Sequence, residues 1–246
     1  MIDSVIYTRI PLSDRTLVAE AATYGIPDLH EALGVAGGRT GLMGPQMRPL
    51  NAGLRIAGPA VTVYCYPGDN LMMHKALHLA ESGQVVVVTN GGGVQGALWG
   101  DLAAIYARNK GLAGAIIEGN IRDSEALMNL RDPLWFTGIW AGHPEKKGNV
   151  GVINVPIVCA GTLVNPGDIV VADGDGVLVI PRRHLRMAVE GARARQEKDI
   201  ETRKRLASGG ALHDLAGIDD VLKTVGVLVR ETTWLDDEIA HHHQDT

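Results

Sequence analysis

The chain is short of cysteine, aromatic residues and long apolar runs, and each shortage removes a class of protein. Two cysteines in 246 residues, Cys65 and Cys159, both lie in apolar stretches (VTVYCY and PIVCAG). They exclude a disulfide framework and predict two small buried hydrophobes. An aromatic content of 4% and a net charge of -5 leave neither stacking platforms nor a basic field, so nucleic acid is not an expected partner. No apolar run approaches the roughly 20 residues that a membrane-crossing helix needs. The opening MIDSVIYTRIPLSD lacks the basic head and apolar core of an export signal. No membrane partner is therefore expected, and the default location is cytoplasmic. No internal repeat is present at solenoid periods.

What is present is glycine, 31 residues against a usual share of about 7%, together with an ordinary 46% hydrophobic and 21% charged residues. Tight turns and close backbone approaches follow from the first, and a folded globular chain from the second. Residues 12–34 read as two short helices separated by Gly25 and Pro27 and stopped at Gly34, with Asp28 able to cap the second. RIAGPAVTVYCY favours strand and residues 70–80 (NLMMHKALHLA) favour helix, ended by Gly83. QVVVVTN is a fully apolar strand, GGGVQGALWG a glycine loop, and DLAAIYARNKG a helix with apolar positions at Leu102, Ile105 and Tyr106. AGAIIEG is a second buried strand, NIRDSEAL a turn into a helix, and PLWFTGIW a third strand. This alternation predicts parallel βαβ crossovers. PGDIVVADGDGVLVIP predicts a hairpin, and residues 182–208 a charged helix stopped by glycine. Residues 1–210 thus form one mixed α/β domain, and 211–246 a C-terminal extension, partly flexible and ending in His241 to His243, which a disordered tail explains better than a metal site.

The chemistry concentrates in WGDLAAIYARNKGLAGAIIEGNIRDSEAL. A glycine loop delivers Asp101 to the start of one helix, and a buried strand delivers Arg122 and Asp123 to the start of the next. Both points fall on the carboxyl edge of a parallel sheet, where ligands bind. The helix start at Gly100, Asp101, Leu102 and Ala103 offers backbone N–H groups to a substrate carboxylate. Arg122 is a donor fork for carboxylate or enolate oxygen. Asp123 is a hard oxygen ligand of the kind Mg²⁺ takes singly or in pairs. On spacing alone, Asp101 and Asp123 can equally be helix caps. The glycines at 91–93, 96 and 100 lack the spacing and the GK[ST] ending of nucleotide loops.

These motifs, GDL followed by IEGNIRD, stand with HEALG (30–34), MRPL (47–50), PGDNLMMHKAL (67–77), VPIVCAG (155–161) and PGDIVVADGDGVLVIP (166–181). Over residues 12 to 210 the chain resembles the family of 4-hydroxy-4-methyl-2-oxoglutarate and 4-carboxy-4-hydroxy-2-oxoadipate aldolases, which includes the regulator of ribonuclease activity A. The resemblance implies a three-layer β/β/α domain that assembles as a homotrimer or homohexamer with sites between subunits. It implies a metal-dependent lyase that cleaves a 4-hydroxy-2-oxo acid to pyruvate in aromatic-compound catabolism, with oxaloacetate decarboxylation as a side activity.

Residue by residue, the resemblance makes Asp123 the ligand of Mg²⁺, with Mn²⁺ or another divalent cation as a substitute, and Arg122 the contact to the keto acid. Gly100 to Ala103 hold the carboxylate, Asp101 orients a metal-bound water, and Glu201 completes the site of a neighbouring subunit. Asn70, in the GDN loop, and His74, one helical turn after it, are expected to contact substrate; a helix-surface or capping-network histidine is the other reading of His74. Glu125 is either an outward-facing first-turn acid or a support for the site. Arg39, Arg48, His143 and Lys146 are unplaced candidates for an extra carboxylate on C4. Two other readings stay open: an oxaloacetate decarboxylase only, and a non-enzymatic binding protein like the ribonuclease-regulating branch, which lacks the acidic pair that Asp101 and Asp123 supply. Beyond Gly210 the chain departs from the family, with GALHDLAGIDD in place of a more apolar segment.

Overall fold

The computed structural model describes residues 4–34, 41–93, 95–145, 148 and 151–236; Arg39, Lys146 and His241 to His243 lie outside them. Two helices come first, α1 (Arg15–Ala21) and α2 (Ile26–Leu33). Asp14 caps α1 by accepting the Thr16 N–H at 2.9 Å. The cap of α2 is Gly25, and Asp28 sits inside the first turn, where a carboxylate complements the helix dipole; the expected Asp28 cap is corrected accordingly.

The strands follow as β1 (Arg48–Pro49), β2 (Ile56–Tyr64), β3 (Val85–Thr89), β4 (Ala97–Trp99), β5 (Gly114–Ile121) and β6 (Leu134–Ile139). Among them lie the helices α3 (Leu71–Leu79), α4 (Asp101–Asn109) and α5 (Ser124–Asn129). Then come β7 (Val152–Ile153), the pair β8 (Ile157–Cys159) and β9 (Thr162–Val164), and the hairpin β10 (Ile169–Asp173) and β11 (Gly176–Ile180). The main sheet has the order β1-β6-β5-β3-β2-β10-β11, with β4 on β5 and β7 on β2. Strands β2, β3, β5 and β6 pair in parallel and β10 joins β2 antiparallel, which is the βαβ pattern plus hairpin that the alternation predicts.

Side-chain alternation along these strands builds the layers. Val86, Val88 and Ile117 face α3, α4 and α5, packing on Met73, Ala76, Leu77, Ala104 and Leu127. Val85, Val87, Ile116 and Trp135 face the other way, onto Ile157, Cys159, Val164 and the Val170, Ala172, Val177 and Val179 side of the hairpin. The outer side of the hairpin, Ile169, Val171, Leu178 and Ile180, is covered by α1, α2 and the start of α6 (Leu185–Ala207). Two β layers with helices packed on them confirm the α/β/β core.

Two local expectations change. The glycine loop contains β4, a strand of three residues. Helix α4 buries Ala103, Ala104 and Ala107, whereas Leu102 is 74% exposed and Ile105 and Tyr106 are also exposed. The small alanine face lets α4 lie close to the sheet and leaves its larger side chains outside.

The chain divides into two compact units, Met1–Gln196 and Glu197–Thr246, with the division inside α6. The second unit carries the short helices α7 (Leu212–Leu215) and α8 (Ile218–Thr224), which bury none of their residues. Among the described residues no helix is long and apolar enough to cross a membrane.

Candidate active site

The crevice is built where β4 and β5 end side by side. The pairing of β5 with β6 slips between Ile117 and Asn120, an irregularity of the kind that re-aims the residues after it. Gly119 sits in that slip at φ +153°, and a Cβ there would come within 2.7 Å of Leu98. The strand then hands Arg122 to the Trp99 carbonyl, which accepts its N–H at 3.0 Å. This bond locks the Arg122-Asp123 corner to the Gly100-Asp101 corner.

Asp123 takes the left-handed conformation, φ 57°, and makes no capping hydrogen bond to α5. Aspartate tolerates this region better than most residues, and the turn points its carboxylate away from the helix it precedes. Its Oδ2 lies 3.4 Å from the Asp101 backbone N and 3.4 Å from Arg122 Nε. Both side chains are about one-third exposed, 37% for Arg122 and 36% for Asp123. Asp123 thus does not cap α5, and its backbone contact is to the first N–H of α4.

Gly100 explains why the two corners can meet. Its backbone is extended, so no special torsion demands glycine; space does, because a Cβ would lie 2.5 Å from Asp123 Oδ2. Asp101 is the first residue of α4, and its Oδ1 accepts the Leu102 N–H at 2.7 Å. One donor of the expected carboxylate cradle is thereby occupied by the neighbouring side chain.

The opposite wall comes from the loop after β2. Asp69 accepts the Leu71 N–H at 2.7 Å and so takes the capping role for α3. Asn70 is left with no capping bond, and its Oδ1 is buried without a hydrogen-bond partner. Buried amide oxygens are nearly always paired, so this atom is suited to a donor brought by a ligand. Asn70, His74, Gly100, Asp101, Leu102, Ala103, Arg122 and Asp123 all line one crevice, joined by His143 and Pro144.

Other candidates lie elsewhere. Glu125 is exposed in the first turn of α5 and Arg48 is exposed on β1; neither lines the crevice. Glu201 is an exposed residue of α6 in the second unit, 4.0 Å from Lys204. The role that the resemblance gives it belongs to a neighbouring copy. Burial pushes the Cys65 thiol up to about 12 and that of Cys159 upward as well, so neither offers a thiolate nucleophile.

Sequence reasoning missed the support behind Trp99. Its Nε1–H donates to Asp132 Oδ2 at 3.2 Å, and Asp132 is 4% exposed. The two residues are 33 positions apart, a separation at which no local pattern signals a contact.

As to metal, no three His, Cys, Asp or Glu side chains gather into a ligand cluster among the described residues. A cage for structural zinc is thus missing from them, but Mg²⁺ commonly takes one or two carboxylates and keeps waters and substrate oxygens. Asp123, partly exposed and engaged only at 3.4 Å, with Asp101 on the same crevice, suits that sparse set.

Residues 26–179 match the RraA-like family, described as Aldolase/RraA. A protein of Halalkalibacterium halodurans named "Putative 4-hydroxy-4-methyl-2-oxoglutarate aldolase" is 37% identical over 166 residues, covering 68% of this chain and 78% of its own length. One of the same name from Burkholderia mallei is 37% identical over 162 residues, covering 64% of this chain and 94% of its own. The crystal structure of Streptomyces coelicolor RraAS2, described as an unusual member of the RNase ES inhibitor RraA protein family, superposes with a TM-score of 0.71. It is 27% identical and covers 79% of this chain and 99% of that one. With the family match over residues 26–179 and these relatives in agreement, the chain belongs to the RraA-like family, described as Aldolase/RraA.

Proposed function

We propose that the chain is a divalent-metal-dependent lyase that cleaves a 4-hydroxy-2-oxo acid between C3 and C4 and releases pyruvate. The substrates that suit this reading are 4-hydroxy-4-methyl-2-oxoglutarate and 4-carboxy-4-hydroxy-2-oxoadipate. The observation that carries it is the meeting of Asp101, Arg122 and Asp123 at one crevice, around a glycine that leaves room for nothing larger.

Asp123 would hold Mg²⁺, which when bound supplies a Lewis acid for the 2-oxo carboxylate end of the substrate. Arg122 directs its guanidinium at the C2 oxygen, where negative charge develops as the C3–C4 pair flows into the enolate. Gly100 to Ala103 line the place for the substrate carboxylate at the positive end of α4. The C4 hydroxyl proton passes to a water held by Asp101, with Glu201 from a second copy as its other support. That water returns the proton to C3 of the enolate, giving pyruvate and a second carbonyl product. This reading requires a homotrimer or homohexamer with shared sites. Oxaloacetate decarboxylation would use the same enolate stabilisation.

Support for catalysis over a purely regulatory role comes from the acids: the ribonuclease-regulating branch lacks the acidic pair, whereas Asp101 and Asp123 both line this crevice. The test is pyruvate release from 4-hydroxy-4-methyl-2-oxoglutarate with Mg²⁺ and with excess chelator. Release that stops with chelator and returns with Mg²⁺ is expected; no release under either condition refutes the reading.

A further inference from the structure

Resting on the aldolase reading, we infer that His143 is a specificity residue of this crevice, receiving the second carboxylate of substrates that carry one on C4.

The position of His143 is set by backbone bonds on both sides of it. The Ala97 N–H donates to the Gly142 carbonyl at 3.0 Å, the Glu145 N–H to the Gly68 carbonyl at 2.7 Å, and the Asn70 N–H to the Glu145 carbonyl at 3.2 Å. The segment 142–145 is thereby stitched between β4 and the loop that carries Asn70. Gly96, at φ +71°, permits the approach: a Cβ there would come within 3.2 Å of Pro144 Cα and 3.1 Å of Gly68 Cα. The backbone of His143 is thus held at the crevice wall, with its exposed imidazole within reach of Arg122.

The guanidinium of Arg122 defines the direction. Its Nε lies 3.4 Å from Asp123 Oδ2, whereas its Nη1 lies 3.5 Å from His143 Nδ1. One edge of the group is committed to the acid that the proposed function gives to the metal, and the other edge faces the imidazole. A substrate whose 2-oxo carboxylate end occupies the Asp123 side has its C4 substituents toward Nη1 and His143.

Charge then selects the substituent. Asp101 and Asp123 repel a second carboxylate from their side of the crevice. The Nη1 edge and an imidazole, which carries an N–H donor in either tautomer, offer it paired donors. Among the basic residues Arg39, Arg48, His143 and Lys146, Arg39 and Lys146 lie outside the described residues and Arg48 does not line the crevice, whereas His143 does.

The test compares wild type, His143→Ala and His143→Asn, each with Mg²⁺. The measurements are KM and kcat for 4-hydroxy-4-methyl-2-oxoglutarate, which carries a carboxylate on C4, and Ki for oxalate, which mimics only the pyruvate enolate end. His143→Ala is expected to raise KM about 10-fold, the size of one hydrogen bond to a charged group, with a smaller change in kcat and with the oxalate Ki within about twofold. His143→Asn, which keeps an N–H donor, recovers part of the KM. If KM and oxalate Ki rise together, or neither moves, the inference is overturned while the lyase reading stands. If wild type releases no pyruvate, the lyase reading falls and this inference with it.

Discussion

Four aspartates divide this molecule into two kinds of region. On the hairpin, Asp168 accepts the Arg182 N–H at 3.0 Å on one oxygen and the Asn165 N–H and Nδ2–H at 3.0 and 2.9 Å on the other. Asp173 accepts from Ile26 N–H at 3.1 Å and Asp175 N–H at 2.9 Å, with Arg55 at 3.7 Å. Both are buried, and their oxygens are consumed: those of Asp173 hold α2 and the hairpin turn, and those of Asp168 hold the turn before β10 and the chain leaving β11. At the crevice, Asp101 binds its own neighbour's N–H and Asp123 has contacts of 3.4 Å. The hairpin carboxylates have both oxygens filled by backbone bonds of 3.1 Å or less, whereas Asp123 has only contacts of 3.4 Å and is the more open to a ligand.

Breaking the comparison at the crevice should cost activity and spare the fold. Arg122→Ala is expected to lower kcat/KM about 10³-fold, as loss of a charge-stabilising donor does, with thermal unfolding within a few degrees of wild type. Breaking it at the hairpin should do the reverse. Asp173→Ala leaves buried N–H donors unpaired and is expected to cost about 3 kcal/mol, read by urea unfolding, while activity per folded molecule is retained. Gly100→Ala sharpens the boundary: the added methyl must displace Asp123 Oδ2, and a displacement near 1 Å in a catalytic group costs about 10²-fold. Its far-ultraviolet circular dichroism should match wild type.

Asp132 supplies a smaller and pH-dependent effect. Burial pushes its carboxyl from 3.8 up to about 6, against the hydrogen bond from Trp99 and the charge of Arg108. Below pH 3.8 both folded and unfolded chains hold this proton and the residue carries no penalty. As pH rises from about 4 to about 6 the unfolded chain ionises first, so stability falls, and above about 6 the loss is complete. The bound on that loss is about 3 kcal/mol. Asp132→Asn keeps an acceptor for Trp99 and removes the titration. The gap between its unfolding free energy and that of wild type should widen in the variant's favour across this window; parallel curves would contradict the assignment.

Much of this was legible in the chain itself. The apolar runs QVVVVTN and AGAIIEG and the Gly/Asp turn of PGDIVVADGDG specify β3, β5 and the hairpin, because periodicity and turn chemistry are local. The Arg122-Asp123 corner was legible for the same reason, since a buried strand feeding a helix has to place them at the sheet edge. What local pattern does not carry is closeness. Strand β4 hides in a glycine stretch, α4 packs through alanines where bulkier residues mark the wrong face, and Trp99 finds Asp132 only through the fold. The unpaired Asn70 oxygen and the alignment of His143 with Arg122 are likewise products of three-dimensional packing.

The most direct test of the central claim is Asp123→Ala in purified form, assayed for Mg²⁺-dependent pyruvate release beside a thermal melt. The account predicts that release and its Mg²⁺ response vanish while the melting temperature stays within a few degrees of wild type or rises. Unchanged release would contradict it.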